Sequence, residues 1–360
     1  MPLPRTLAIL PLLLLPALTL ADTSSAPAPQ APAAPQDTTT TPETSTPTAA
    51  KVTPDPTEMA CVQNLLASAK DSLTLGRLRE LCRQQQQDLQ ARSERALRER
   101  LALEKATELN PFVITPHLRN YILPLSYWSN PQAHDGRTDD EAYRHLESKF
   151  QLSIKVPIAS FDHDLQLYGA FTGTFFWQVW SGYISRPFRE TNYMPEFFLT
   201  HPLDWQLGPV ESQLMMYGIA HQSNGRDVPL SRSWNRLYLQ YIFRTGPWYW
   251  SFKPWWRIPE HKKSTPTSRN GDDNPDIEHY MGHFELKASR PFGHQVVEVM
   301  LRNNFHREHN AGAVQFDYTF PLTGRFKGII QGFSGYGDSL INYNDYENRI
   351  SFGILLTDTL

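Results

Sequence analysis

Three polar residues lie near one another in the sequence and carry the side chains of an acyl-transfer site. His221 and Ser223 are two positions apart, and Asn235 follows a turn that begins with Asn224-Gly225. On an extended strand, residues two apart project from the same face with Cα atoms about 6.5–7 Å apart, which brings the hydroxyl within reach of the imidazole. A serine beside a base is the first requirement for nucleophilic catalysis. An amide in the third position could accept the imidazole Nδ1–H and fix its tautomer, as aspartate does in serine proteases.

The segments that carry these residues alternate between apolar and polar positions. In 165–181 the odd positions are mainly large and apolar, whereas the even positions include glutamine and threonine, the pattern of a strand with one apolar face. Twelve strands are predicted, at 119–128, 145–157, 165–181, 192–200, 210–223, 234–245, 247–258, 277–289, 294–305, 312–322, 325–335 and 347–357. An even number suits a closed barrel with both chain ends on one side.

The composition of the chain favours an outer-membrane barrel over other classes of protein. All 43 aromatic residues (9 Trp, 15 Tyr, 19 Phe) lie after Pro111, and many tryptophans fall near predicted strand ends, as in the aromatic girdle of an outer-membrane barrel. A large soluble β-sandwich is the alternative. After residue 21 no apolar run approaches the ~18–20 residues of a membrane-spanning helix. The net charge of -3 without long basic runs argues against a nucleic-acid partner.

The first 110 residues differ from the rest of the chain. Residues 1–21 have the charged, apolar and small-residue regions of a signal peptide, with cleavage expected after Ala21. Residues 22–57 contain eight prolines and are predicted to be a disordered tether. Residues 58–110 are rich in helix formers and are predicted to be helical, with a disulfide between Cys61 and Cys82. We therefore expect a periplasmic extension before a barrel domain at 111–360.

The alternation also indicates which face carries the polar group. Asn235 shares odd parity with Leu237 and Leu239, and His221 and Ser223 share it with Met215, Tyr217 and Ile219 on the preceding strand. All three residues would then face the membrane, and the substrate would be a lipid. An asparagine places no anion beside hydrocarbon, where ionised groups are costly.

These polar residues and the other histidines also have non-catalytic interpretations. A His-x-Ser pair at a strand end is by itself more often part of a polar rim than a catalytic pair. The pairs His279/His283 and His306/His309 are predicted to be surface or lumen histidines rather than metal ligands, because such spacings on a strand hold the side chains far apart or on opposite faces.

Several longer motifs resemble the outer-membrane phospholipase A family. They are HQSNGR at 221–226, SRSWNRLY at 231–238, RPFRETNY at 186–193, KPW at 253–255, DDNPD at 272–276 and GYGDSLINY at 335–343. The resemblance covers roughly 120–360. It implies an all-β fold, a twelve-stranded antiparallel transmembrane β-barrel in the outer membrane of a Gram-negative bacterium. It also implies hydrolysis of phospholipid acyl esters, with A1 and A2 activity, by a calcium-bound homodimer.

The resemblance assigns roles to individual residues. It implies that Ser223 is the nucleophile, His221 the base and Asn235 the residue that orients it. The backbone N–H of Gly225 would complete the oxyanion hole with a calcium-bound water. Calcium would be held by the Ser231 hydroxyl and the Arg226 carbonyl of one protomer and by the Ser185 carbonyl of the other, since oxygen ligands suit this ion.

The chain departs from the family pattern in two places. At the family's second calcium site Val228 replaces an acidic residue, whereas Asp273 matches the other acidic ligand. The chain ends at Leu360 where barrels of this kind usually have an aromatic residue. A non-enzymatic pore or structural barrel is the competing class of function. A lipid A deacylase is a third, and it should lack the calcium-binding set.

Overall fold

A computed structural model of the chain describes residues 61–63, 65–66, 74–85, 87–88, 114–131, 134, 142–161, 164–265, 267–322 and 326–358. The predicted signal peptide and tether lie outside the described residues, as does much of the segment 58–110. In that segment, residues 61–63, 65–66, 75–85 and 87–88 are helical. Cys61 and Cys82 are joined by a disulfide with Cα atoms 5.9 Å apart. No helix among the described residues is long and apolar enough to cross a membrane.

Twelve antiparallel strands form a closed barrel, as predicted. They are β1 Asn120–Trp128, β2 Leu146–Ser160, β3 Gln166–Trp177, β4 Phe188–Pro202, β5 Val210–Ser223, β6 Ser233–Thr245, β7 Trp248–Ile258, β8 Phe284–Phe292, β9 Gln295–Asn303, β10 Gly312–Pro321, β11 Lys327–Tyr336 and β12 Tyr346–Thr357. Each strand pairs with its neighbour in sequence, and β12 pairs with β1 to close the cylinder. Closure leaves no sheet edge, because every strand has a partner on both sides. Two-residue strands at Thr115–Pro116 and Gln206–Leu207 add to β2 and β5.

Three predicted strand boundaries differ from the structure by four residues or more. The segment 277–289 begins as a short helix, Ile277–Met281, and its strand starts only at Phe284. Ile277 and Met281 are four residues apart and both buried, so one helical face packs inward, and Gly282 at φ 74° ends the helix. The predicted strand 165–181 ends at Trp177, where a turn begins, and the strand predicted at 192–200 starts earlier, at Phe188.

The side chains divide between the two faces of the barrel as the alternation predicts. On β3, Thr172 and Thr174 line an interior cavity of about 490 Å³, whereas Phe171 faces outward. The tryptophans do not all form a girdle at the surface. Trp128, Trp234 and Trp255 are buried, and the rings of the last two meet edge to face at 6.1 Å. Trp180, Trp205 and Trp256 are about half exposed on the surface and fit the girdle.

Ion pairs cross the interior of the barrel. Glu147 on β2 accepts two hydrogen bonds from Arg189 on β4, both 3.0 Å long. It also forms an ion pair with Arg349 on β12 at 2.9 Å. The Arg349 guanidinium also contacts Asp338 at 2.6 Å. Glu147 and Arg349 have fully buried side chains. Buried charges persist only when paired, and these pairs join strands that are not neighbours in the barrel wall.

Removing the central carboxylate of this network should destabilise the barrel. Glu147→Leu leaves Arg189 without its ion-pair partner in a buried setting, so we expect the free energy of unfolding to fall by about 3–5 kcal/mol. Urea unfolding in detergent micelles, followed by tryptophan fluorescence, measures the change. Glu211→Leu is the matched control, because Glu211 pairs with Arg244 where both side chains are partly exposed. Its expected cost is below about 1 kcal/mol, and equal costs for the two variants would contradict the prediction.

Candidate active site

His221 and Asn235 face each other across two neighbouring strands. They are partners in the register of β5 and β6, and His221 Nδ1 lies 2.9 Å from Asn235 Oδ1. Because an amide oxygen can only accept, this hydrogen bond requires the proton on Nδ1 and leaves Nε2 as the acceptor. That tautomer is the one a general base needs. The predicted pairing of these two residues is therefore present in the fold.

Ser223 lies at the end of β5, two residues beyond His221 and on the same face. It is half exposed and is the register partner of Tyr193 on β4 and Ser233 on β6. In the described part of the chain, no hydrogen bond joins the Ser223 hydroxyl to the imidazole. Hydrogen bonds of this kind are often long in free enzymes and tighten when substrate binds.

The loop after Ser223 is organised by a buried asparagine. Asn224 Oδ1 accepts hydrogen bonds from the backbone N–H groups of Arg226 and Arg232, and its Nδ2 donates to the Leu230 carbonyl at 2.9 Å. Gly225 has φ +65°, and a Cβ there would lie 3.1 Å from the Tyr193 ring. Both the backbone conformation and the space favour glycine. No described residue accepts a hydrogen bond from the Gly225 N–H.

The outer surface below the three polar residues is apolar. Ile219 and Leu237 lie opposite each other on β5 and β6 and are 44% and 49% exposed. Tyr217 and Trp256 continue this surface on β5 and β7. His221 itself is exposed on the same side. The predicted outward orientation is thus present, and a substrate would reach the site from the surroundings of the barrel.

Two of the predicted calcium ligands lie together. The Ser231 hydroxyl donates to Asp273 Oδ2 at 2.5 Å, and the Lys263 ammonium contacts the other carboxylate oxygen. A hydroxyl and a carboxylate side by side are donors that fit calcium. The ammonium is a cation already bound to Asp273, so an incoming metal ion would displace it.

The other predicted ligands contribute backbone oxygens. Arg226 is held by ion pairing of its Nε with Glu190 Oε2 at 3.3 Å, and Ser185 is exposed with φ +51° in the turn before β4. Among the described residues, no hydrogen bond joins the Ser231 side chain to either of these carbonyls. Among the described residues, no group of three or more His, Cys, Asp or Glu side chains is arranged to hold a metal ion.

Two residues of the site were missed by the sequence analysis. Glu260, beyond the end of β7, accepts a hydrogen bond from Asn235 Nδ2 at 3.0 Å. Asn274, fully buried, accepts one from the Ser233 backbone N–H at 2.9 Å and so ties the loop at 272–276 to the start of β6. Asn274 belongs to the DDNPD motif, but neither contact has a signal in the alternation pattern, since Glu260 and Asn274 both lie in loops.

Comparison with known proteins identifies relatives with this arrangement of strands. The family profile described as phospholipase A1 matches residues 97–356. The match thus begins somewhat before residue 120, where the resemblance in the sequence analysis was placed. The phospholipase A1 of Klebsiella pneumoniae is 35% identical over 253 residues, which are 69% of this chain and 84% of that protein. The phospholipase A1 of Escherichia coli is 34% identical over 252 residues, 69% of this chain and 83% of that protein.

Solved structures of similar proteins agree with the fold. Outer membrane phospholipase A from Escherichia coli superposes with a TM-score of 0.63 at 33% identity, covering 69% of this chain and 100% of that chain. The outer membrane phospholipase of Salmonella typhi, solved as a dimer with bound calcium, has a TM-score of 0.63 at 34% identity. It covers 70% of this chain and 95% of that chain.

Proposed function

Because this chain belongs to the phospholipase A1 family, we propose that it cleaves phospholipid acyl esters through Ser223, His221 and Asn235, in a calcium-dependent homodimer. Membership of the family makes it a carboxylic ester hydrolase of phospholipids and an outer-membrane barrel of a Gram-negative bacterium. The triad, the calcium dependence and the activity at both acyl positions are the finer parts of the proposal.

One observation carries the proposal: the His221–Asn235 hydrogen bond lies on the outer face of the barrel, directly above exposed apolar side chains. A polar pair on the outer face does not line the lumen. It can therefore act only on molecules that lie against the outside of the barrel wall. Phospholipids are the esters found there.

The residues divide the reaction between them. The Ser223 Oγ attacks the acyl carbonyl carbon while His221 Nε2 takes its proton, and Asn235 holds the Nδ1–H of the imidazolium so formed. The Gly225 N–H donates to the oxyanion. The intermediate then expels the lysophospholipid oxygen, which receives the proton from His221, and leaves an acyl ester on Ser223. Water, deprotonated by His221, cleaves that ester to fatty acid and restores the serine.

A calcium ion fits the oxygen donors next to this site. Ser231 and the Arg226 carbonyl of one protomer and the Ser185 carbonyl of its partner would hold it, with Asp273 adjacent to Ser231. Bound calcium supplies positive charge for stabilising a developing oxyanion. A site built from two protomers would make activity depend on dimer formation.

Release of fatty acid and lysophospholipid from vesicles of defined phospholipid by the purified protein tests the proposal. We expect hydrolysis in calcium and little in EDTA. A wild-type protein that is folded and dimeric in calcium yet inert would contradict the proposal. It would favour the competing pore or structural barrel.

Asn235→Ala should slow the reaction without stopping it. The variant loses one hydrogen bond to an imidazole that becomes charged, so we expect kcat to fall by about 10- to 100-fold. His221→Ala, which removes the base itself, should lose considerably more. Steady-state hydrolysis of a phospholipid in mixed micelles measures both losses. An Asn235→Ala enzyme as impaired as His221→Ala would indicate that the amide does more than orient the base.

The side chains described inside the barrel argue against the competing function as a pore. Arg119, just before β1, reaches Glu298 on β9 and Asp317 on β10 at 3.1 and 3.0 Å, and the Glu147 network crosses at another level. Large side chains pack together inside the barrel, among them Tyr168, Phe198 and Trp255. These side chains occupy part of the lumen beside the interior cavity of about 490 Å³ and narrow the route that a solute would follow.

We also propose the domain organisation expected from the sequence, with a signal peptide at 1–21, a tether at 22–57 and a helical segment at 58–110 before the barrel domain at 111–360. The first three would precede the barrel as a periplasmic extension. The disulfide between Cys61 and Cys82 supports export, because disulfides persist in oxidising compartments.

A further inference from the structure

The amide of Asn235 has a partner at each end. Its Oδ1 lies 2.9 Å from His221 Nδ1, and its Nδ2 donates to Glu260 Oε1 at 3.0 Å. Ile258, the last residue of β7, is the register partner of Asn235, and Glu260 follows it by two residues. A continuous line of hydrogen bonds therefore runs from Glu260 through Asn235 to the imidazole.

The chemistry of the two ends of the amide fixes its orientation. An ionised carboxylate can only accept hydrogen bonds, so only the NH₂ end of Asn235 can face Glu260. The oxygen end must then face His221. If the amide were reversed, its NH₂ would donate to Nδ1, the imidazole proton would move to Nε2, and the ring could not take a proton from Ser223. The carboxylate thus selects the tautomer that a base requires.

Glu260 also brings a negative charge that Asn235 lacks. In a serine protease triad, the aspartate stabilises the imidazolium directly. Here the carboxylate lies one hydrogen-bonding group further away, and hydrogen bonds in a chain polarise one another. Glu260 is half exposed, just past the end of β7, so water can reach it. An anion at the position of Asn235, beside the apolar surface, would cost more.

We propose that Glu260 is a positioning residue for ester hydrolysis, acting on His221 through Asn235. The proposal rests on the proposed function, because it requires His221 to be the base. It gives the amide a defined orientation and gives the neutral triad a charged fourth member.

Two substitutions separate charge from hydrogen bonding. Glu260→Ala removes both, and we expect kcat to fall by about 10- to 100-fold, with KM within about twofold of wild type. Glu260→Gln keeps an oxygen that accepts from Asn235 Nδ2, so about 3- to 10-fold should be lost. Glu308→Gln is the matched control, since Glu308 is exposed in the loop between β9 and β10. It should leave kcat unchanged. A change of gel mobility between unheated and heated samples verifies that each variant is a folded barrel.

A double-mutant cycle with Asn235→Ala tests whether the effect passes through the amide. In the Asn235→Ala background, Glu260→Ala should cause at most a twofold further loss, because the line of hydrogen bonds is already broken. The proposal is overturned if Glu260→Ala has a wild-type kcat, or if it causes the same loss in both backgrounds. Either result leaves the difference between wild type and Ser223→Ala intact. Failure of the proposed function would instead abolish that difference.

Discussion

Ser223→Ala is expected to lower the release of fatty acid from phospholipid vesicles by about 10⁴- to 10⁶-fold, the loss typical of removing a serine nucleophile. The variant keeps the backbone of β5 and removes only the hydroxyl that would attack the ester. The measurement is product formation over time at saturating calcium, with wild type and variant at equal protein concentration.

Ser233→Ala provides the matched control for this loss. Ser233 on β6 is the register partner of Ser223. The two residues are of the same type and are similarly exposed, but they lie on different strands. Its contact with Asn274 is made by its backbone N–H, which the substitution keeps. We expect activity within about threefold of wild type, the effect of a small surface change. Substantial activity in Ser223→Ala would show that another residue is the nucleophile.

Removal of calcium is also expected to have a large effect. With excess EDTA, we expect hydrolysis to fall by about 10²- to 10³-fold, comparable to the loss of one oxyanion-stabilising donor. The protein should also shift from dimer to monomer in sedimentation velocity, because the proposed ligands belong to two protomers. Added calcium should restore both the rate and the dimer.

Magnesium and the variant Ser231→Ala test whether the effect of EDTA is specific to calcium bound at the proposed ligands. Magnesium should restore little, because it requires a tighter octahedral set of ligands and releases its waters reluctantly. Ser231→Ala should raise the calcium concentration needed for half-maximal activity, since it removes a direct oxygen ligand, while Ser233→Ala should not. Full activity in EDTA would contradict a role for calcium in the reaction.

The barrel itself was predictable from the sequence because alternation records directly which face of a strand a residue occupies. Thr172 and Phe171 on β3 lie on the faces that their polarity indicates. The helix Ile277–Met281 was missed because it is short and because its two buried residues, Ile277 and Met281, have the same parity and so also fit a strand. Trp234 lies near a strand end, the place expected of girdle residues, although its even position puts it inside.

The contact of His221 with Asn235 was predictable for the same reason, and the contact of Asn235 with Glu260 was not. His221 and Asn235 lie within strands, where spacing and parity alone determine which side chains share a face. Glu260 lies past the end of β7 and meets a residue 25 positions earlier in the sequence. The path of a loop decides that contact, and no periodic pattern describes it. The ion-pair partners of Glu147 could not be predicted from the sequence either, because these contacts depend on how the barrel closes.

Because the site opens on the outer wall of the barrel, the substrate concentration that determines the rate is the concentration within the surrounding bilayer. Substrate that approaches along the barrel wall arrives by lateral diffusion within a leaflet, so turnover is governed by the mole fraction of phospholipid in the surrounding bilayer rather than by the amount in suspension. Protomers meet in the same plane, and their density per unit area sets the fraction that is paired. Inert lipid would then dilute both the substrate and the dimer, and activity would fall more steeply than either alone.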